Sequence, residues 1–145
     1  MANENILTTD ADIRDLLAAT HRIAVLGIKP ETHSNQPAFY VPKYMQDTCH
    51  EIIPVPVYYP EVTSILGRKV LRDLNDIPQE VDMVNVFRRS QDIPKHTEEI
   101  LRKKPRSVWF QLGIRNDEVA EVFAAAGIKV VQDLCLMVEH RALLR

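Results

Sequence analysis

Three cations stand where a strand would hand the chain to a loop. Lys29 closes the run Ile23 to Lys29 (IAVLGIK), and Arg88 and Arg89 close the run Val81 to Arg89 (VDMVNVFRR). A flexible ammonium and two forked guanidiniums share a natural target in a phosphate group. Arg88 is the preferred partner of the two because it lies nearer the strand end. Between the runs, Ser34 and Asn35 offer side-chain hydrogen bonds, and the N–H groups near Gln36 to Ala38 open the next helix. Pro37 itself has no N–H to give. Without a ligand, the same stretch is a polar loop with a helix cap, and both readings stay open.

A second group follows another apolar run. Gln111 and Gly113 form the triplet QLG after VWF. The Gln111 amide suits an amide or nucleotide group, and Gly113 permits close approach of a ligand to backbone. Both also suit an ordinary turn. Trp109, inside the run, is expected in the core.

Familiar nucleotide motifs are missing. Gly27 stands alone where a dinucleotide site would carry G-x-G-x-x-G. The acidic residue expected about 20 residues onward is replaced by Val55, Pro56 and Val57. A small NAD(P)-dependent oxidoreductase therefore stands as an alternative that needs a different binding geometry. The segment Asp133 to His140 holds Cys135, Glu139 and His140, a possible thiol and base. Spacing alone does not make a triad, and a packed cysteine is the commoner role. No histidine or cysteine spacing marks a metal site, and no catalytic residue is assigned.

The elements that must position these residues alternate between helix and strand. Helices are expected over Ala11–Ala19, Ala38–Asp47, Ile93–Arg102, Asn116–Ala126 and around Met137–Leu144. Strands are expected over Ile23–Ile28, Glu51–Val55, Val81–Phe87, Val108–Gln111 and Lys129–Val131, with Lys69–Leu71 as a short edge strand. This alternation predicts an α/β fold with one doubly wound, mostly parallel sheet in the order 3-2-1-4-5-6. The loops after Ile28 and Phe87 would then meet at the switch point.

The 145 residues suit one domain over 1–145, with residues 1–20 as a helical extension packed on it. Eighteen basic and 20 acidic residues leave a net charge of −2, which argues against nucleic acid as the partner. No apolar run reaches the roughly 18 residues of a membrane span, and the polar start MANENILTTD is unlike a signal peptide. Two distant cysteines make no disulfide framework. A cytoplasmic protein is expected.

The stretches RIAVLGIKP, PAFYVPKYM, EIIPV, ILGRKV, VDMVNVFRRS, VWFQLGI and CLMVEH together carry a resemblance. From about Arg22 onward the chain resembles small standalone bacterial coenzyme A-binding proteins. These are similar to the amino-terminal domain of the succinyl-coenzyme A synthetase alpha subunit. The resemblance implies a Rossmann-like fold that binds coenzyme A or an acyl-coenzyme A without catalysis. It points to Gly27, Ile28, Lys29 and Pro30 in the first loop, to Val86, Phe87 and Arg88 at the later strand end, and to Gln111 and Gly113 beside them. Ser34 joins them from the loop chemistry above. Val55-Pro56-Val57 departs from the V-N-P of relatives, and Leu134 stands where relatives carry arginine. A disulfide between Cys135 and the coenzyme A thiol is a further expectation to test. A homodimer, a protein partner, or an interaction domain without nucleotide binding are the remaining readings.

Overall fold

Strands covered on both faces are largely apolar, and the central strands are so apart from Arg22, Asn85 and Ser107. In the computed structural model, which describes residues 2–144, these are β1 (Arg22–Leu26), β5 (Met83–Val86) and β6 (Ser107–Phe110). The flanking strands are β2 (Glu51–Val55) and β7 (Lys129–Val131), giving a five-stranded parallel sheet in the order β2-β1-β5-β6-β7. Met1 and Arg145, the ends of the expected 1–145 unit, lie outside the described residues.

The α/β class holds, and the strand order is corrected. Lys69–Leu71 does not add a third strand to the sheet. Instead β3 (Ser64–Ile65) and β4 (Arg68–Lys69) form their own antiparallel hairpin. Leu66 and Gly67 turn it with φ of 54° and 74°, the two positive values of a tight hairpin turn. Leu71 N–H still reaches Pro54 O at 3.0 Å, but Pro54 has no N–H to return, so no ladder grows on that edge. Pro54 is tolerated because Glu51 and Val55, of the opposite parity, bond the β1 side through His21 and Gly27.

Helices cover both faces. On one face α1 (Asp10–Ala18), α2 (Pro37–Asp47) and α5 (Leu136–Leu144) bury Ile13, Leu17, Phe39, Val41, Met45 and Leu136 against Ile23, Val25, Met83 and Trp109. On the other, α3 (Thr97–Lys103) and α4 (Asp117–Ala125) bury Ile100, Val119 and Phe123 against Leu26, Val84, Val86 and Phe110. Thr9 caps α1 by accepting from Asp12 N–H at 3.2 Å, and Asn116 caps α4 by accepting from Val119 N–H at 3.1 Å.

Two further differences have local causes. The helix expected from Ile93 starts as a 3-10 segment, Ser90–His96, and becomes α-helical only at Thr97. Pro94, lacking an N–H, sits in that tighter stretch. The N-terminal residues also do more than cover the sheet: Ile6 bridges Val130, and Leu7 N–H donates to Val130 O at 2.8 Å. They shield the edge beyond β7.

Candidate functional site

Register decides where the loops emerge. Leu26 is level with Val55 and Val86, and Val86 is level with Phe110. Four strand ends therefore release their loops at one height. An open crevice of about 510 Å³ lies there, walled by Lys29, Gln36–Ala38, Phe87–Gln91 and Gln111–Ile114.

Lys29 owes its position to a proline. Pro42 lies inside α2 and cannot bond the carbonyl of Ala38 four residues back. That carbonyl instead accepts the Lys29 N–H at 3.1 Å, tying the first loop to the helix. The Lys29 Nζ donates to Gln36 Oε1. Among the described residues no carboxylate pairs with Lys29, so its charge is uncompensated at the crevice. The first turn of α2, with no side-chain cap at Gln36, adds the positive end of a helix dipole.

The neighbouring residues divide. Ile28 and Pro30 are buried, and the Ile28 side chain belongs to the core, so that stretch offers the crevice no polar side chain. Ser34 is exposed and is not part of the wall. Val86 is fully buried in the opposite core, while Phe87 faces the crevice. Gly27, at φ 89°, sits against the Phe87 carbonyl and not against open space.

The two arginines behave differently. Arg89 is exposed, at 72% for its side chain, and its Nε donates to Asp92 Oδ2 at 2.9 Å. Arg88 is 8% exposed and held on three sides. Its Nε donates to His96 Nε2 at 3.2 Å, one terminal nitrogen donates to the Tyr58 hydroxyl at 3.3 Å, and the other lies 4.0 Å from Asp92 Oδ2. The guanidinium carbon lies 5.5 Å from the centre of the Tyr58 ring. Arg89, followed by Lys95, holds the Asp92 carboxyl below its ordinary range, and the Arg88 hydrogen bond lowers the Tyr58 phenol. Lys29, Arg88, Arg89 and Lys95 outnumber Asp92, Glu99 and Asp133 at this end of the sheet, which is locally positive although the chain is slightly acidic.

Gln111 joins the crevice to a helix. Its Oε1 accepts from Leu136 N–H at 3.3 Å and from Asn85 Nδ2 at 3.4 Å. Its own N–H donates to Val86 O at 3.3 Å, leaving the side-chain NH2 as a donor on the wall. Gly113 has φ 86° and donates its N–H to Asp133 Oδ1 at 2.7 Å. A Cβ there would meet nothing within 4 Å, so the turn geometry selects glycine.

Lys29, Phe87, Arg88, Gln111 and Gly113 are thus brought together; Gly27, Ile28, Pro30 and Val86 support them from within; Ser34 stands apart. Arg89 was not singled out over Arg88 by sequence, although its exposure makes it the freer cation. Asp92, His96 and Tyr58 were missed. The only sequence signal for the first two was their spacing of four and eight residues from Arg88.

Polar groups of the cysteine–histidine segment engage residues elsewhere in the chain. His140 Nδ1 lies 3.0 Å from the Tyr44 hydroxyl, and its ring packs edge-on against His50. Asp133 is engaged by Gly113. Among the described residues no group of three or more His, Cys, Asp or Glu is placed to hold a metal, and no helix is long and apolar enough to cross a membrane. A second cavity, of about 380 Å³, opens beside Arg106 and Lys129 at the other end of the strands.

Comparison with known proteins covers most of the chain. A CoA binding domain model matches residues 21–141. The chain is 38% identical over 132 residues to the uncharacterized protein YneT of Bacillus subtilis, covering 90% of this chain and 93% of that one. A solved Thermus thermophilus protein, cell-free ID.343, shares 36% identity over 94% of this chain and 99% of its own, with a TM-score of 0.85. A hypothetical protein from Pyrococcus horikoshii OT3 shares 31% identity over 95% of this chain and 94% of its own, also at a TM-score of 0.85. With a match spanning most of its length and relatives above 30% identity at nearly full coverage, the chain belongs to the CoA-binding domain family.

Proposed function

We propose that the crevice at the level ends of β1, β5 and β6 binds coenzyme A or an acyl-coenzyme A, with residues 1–145 acting as one non-catalytic binding domain. The observation that carries this reading is the uncompensated Lys29 ammonium beside Arg88 and Arg89 in one crevice. Lys29 and the exposed Arg89 take the phosphates. Arg88 supplies fixed positive charge behind them. The free NH2 of Gln111 donates to a carbonyl or ring nitrogen of the ligand. Backbone at Ile28 and Pro30 shapes the loop, and the open turn at Gly113 leaves room for the thiol arm.

The dinucleotide reading is weaker on physical grounds. The G-x-G-x-x-G turn of a dinucleotide site is absent, and Val55, Pro56 and Val57 stand where an acidic residue would read the ribose.

Calorimetric titration of the reduced, ligand-free protein with coenzyme A, NAD and NADP tests the proposal. Saturable binding of coenzyme A in preference to both dinucleotides is expected. Preference for NAD or NADP would turn the reading to an oxidoreductase. No binding by folded protein would leave an interaction domain.

A further inference from the structure

The environment of Arg88 contains a residue whose protonation is dictated by its neighbours. His96 lies between Arg88 and Glu99: Nε2 is 3.2 Å from Arg88 Nε, and Nδ1 is 3.0 Å from Glu99 Oε1. A guanidinium has donors only. His96 Nε2 must therefore be the acceptor and carry no proton. The single proton of the neutral ring then sits on Nδ1 and is donated to Glu99. Glu99 is in turn fixed, because its other oxygen accepts the Leu74 N–H at 2.7 Å.

We infer that His96 is a positioning residue for the anion site, holding Arg88 beneath Tyr58 through an obligatory Nδ1–H tautomer. This rests on the reading of the crevice as a coenzyme A site. A relay runs from Leu74 N–H through Glu99 and His96 to Arg88, and Arg88 reaches the Tyr58 hydroxyl. The same guanidinium has an acid within reach, Asp92, at 4.0 Å. Without His96, Arg88 is free to close that gap and become neutralised away from the ligand. Held by His96, its charge stays in place before the ligand arrives, and the ordering cost is met during folding.

The charged and titratable groups around His96 are few. Arg88 faces it from the end of β5 and Glu99 from α3, with Asp92 and Lys95 on the 3-10 segment and Tyr58 behind Arg88. A doubly protonated ring would set an N–H of Nε2 against the Arg88 donor, so the relay requires the neutral imidazole.

Two measurements on the full chain test this. Nitrogen-15 NMR of the ligand-free protein at neutral pH should find Nδ1 protonated and Nε2 bare at His96. A proton on Nε2 overturns the proposal whatever the protein binds. Coenzyme A titration should then show His96→Ala weakened about 3- to 10-fold, the range expected for one unfixed long side chain. His96→Gln, which keeps an acceptor, should recover most of the loss. Equal affinity in wild type and H96A, with both folded, overturns the positioning role and leaves the coenzyme A reading standing. Absence of coenzyme A binding in the wild type overturns the functional reading, and the NMR result still decides the tautomer.

Discussion

Gly27 faces the carbonyl of Phe87 across a gap too narrow for any side chain. A Cβ on Gly27 would lie 2.5 Å from the Phe87 oxygen and 3.1 Å from its carbon. The first loop and the arginine loop are thereby locked together at the switch point, and glycine is required by sterics inside the protein. Its φ of 89° adds a second reason. Gly27→Ala should lower stability by about 3 kcal/mol, from a disfavoured φ plus a contact with backbone that cannot move aside. The midpoint of urea unfolding would show it; an unchanged midpoint would mean the two loops separate readily.

Lys29 and Arg89 should differ in their effect on coenzyme A binding. Lys29 has only an amide oxygen for company, whereas Arg89 shares Asp92 and is well solvated. K29A should lose about tenfold in affinity, the lower end for a charge-assisted hydrogen bond. R89A should lose about threefold, as expected for a screened surface charge. Titrations at two salt concentrations should show a shallower salt dependence for K29A than for wild type.

Gln111 should matter to folding as well as binding. It is 4% exposed, and its Oε1 satisfies both Leu136 N–H and Asn85 Nδ2. Asn85 Oδ1 already lacks a partner among the described residues. Gln111→Ala would leave Leu136 N–H without its acceptor and should cost about 1–3 kcal/mol. Chemical denaturation reads the loss, and hydrogen exchange should locate it at the start of α5.

The acid side of the stability profile should fall in two steps. Burial first of all holds the His50 imidazole below its ordinary 6.5, with the ring packed against His140. A depressed folded value means the unfolded chain binds the proton more readily, so this contribution is full above 6.5 and drains as pH falls below it. Glu51 is held below its ordinary 4.5, chiefly by the Arg68 hydrogen bond, and its contribution is lost only below that value. Thermal unfolding across the acid range should show His50→Asn flattening the upper step and Glu51→Gln the lower. A wild-type melting temperature that rises on acidification below 6.5 would contradict the His50 assignment.

What the chain itself determined was most of what neighbours in sequence govern, the 3-10 entry around Pro94 excepted. The runs IAVL, EIIPV, MVNV and VWF were legible as strands, and Thr9, Asn116 and Gly127 punctuated helices as their local chemistry requires. Lys29, Arg88, Gln111 and Gly113 were legible as crevice residues because cations, an amide and a glycine followed strand ends. Their roles were not legible, because these depend on partners far along the chain. Tyr58 reaches Arg88 across 30 residues, Leu136 claims Gln111 across 25, and Phe87 fills the space that makes Gly27 necessary. The third strand failed for a similar reason. A hairpin and a single bond to Pro54 compete only once the chain has folded back, and the missing N–H of Pro54 settles the contest. Local pattern thus assigns residues to the crevice, and tertiary packing determines which of their charges and hydrogen bonds are left for a ligand.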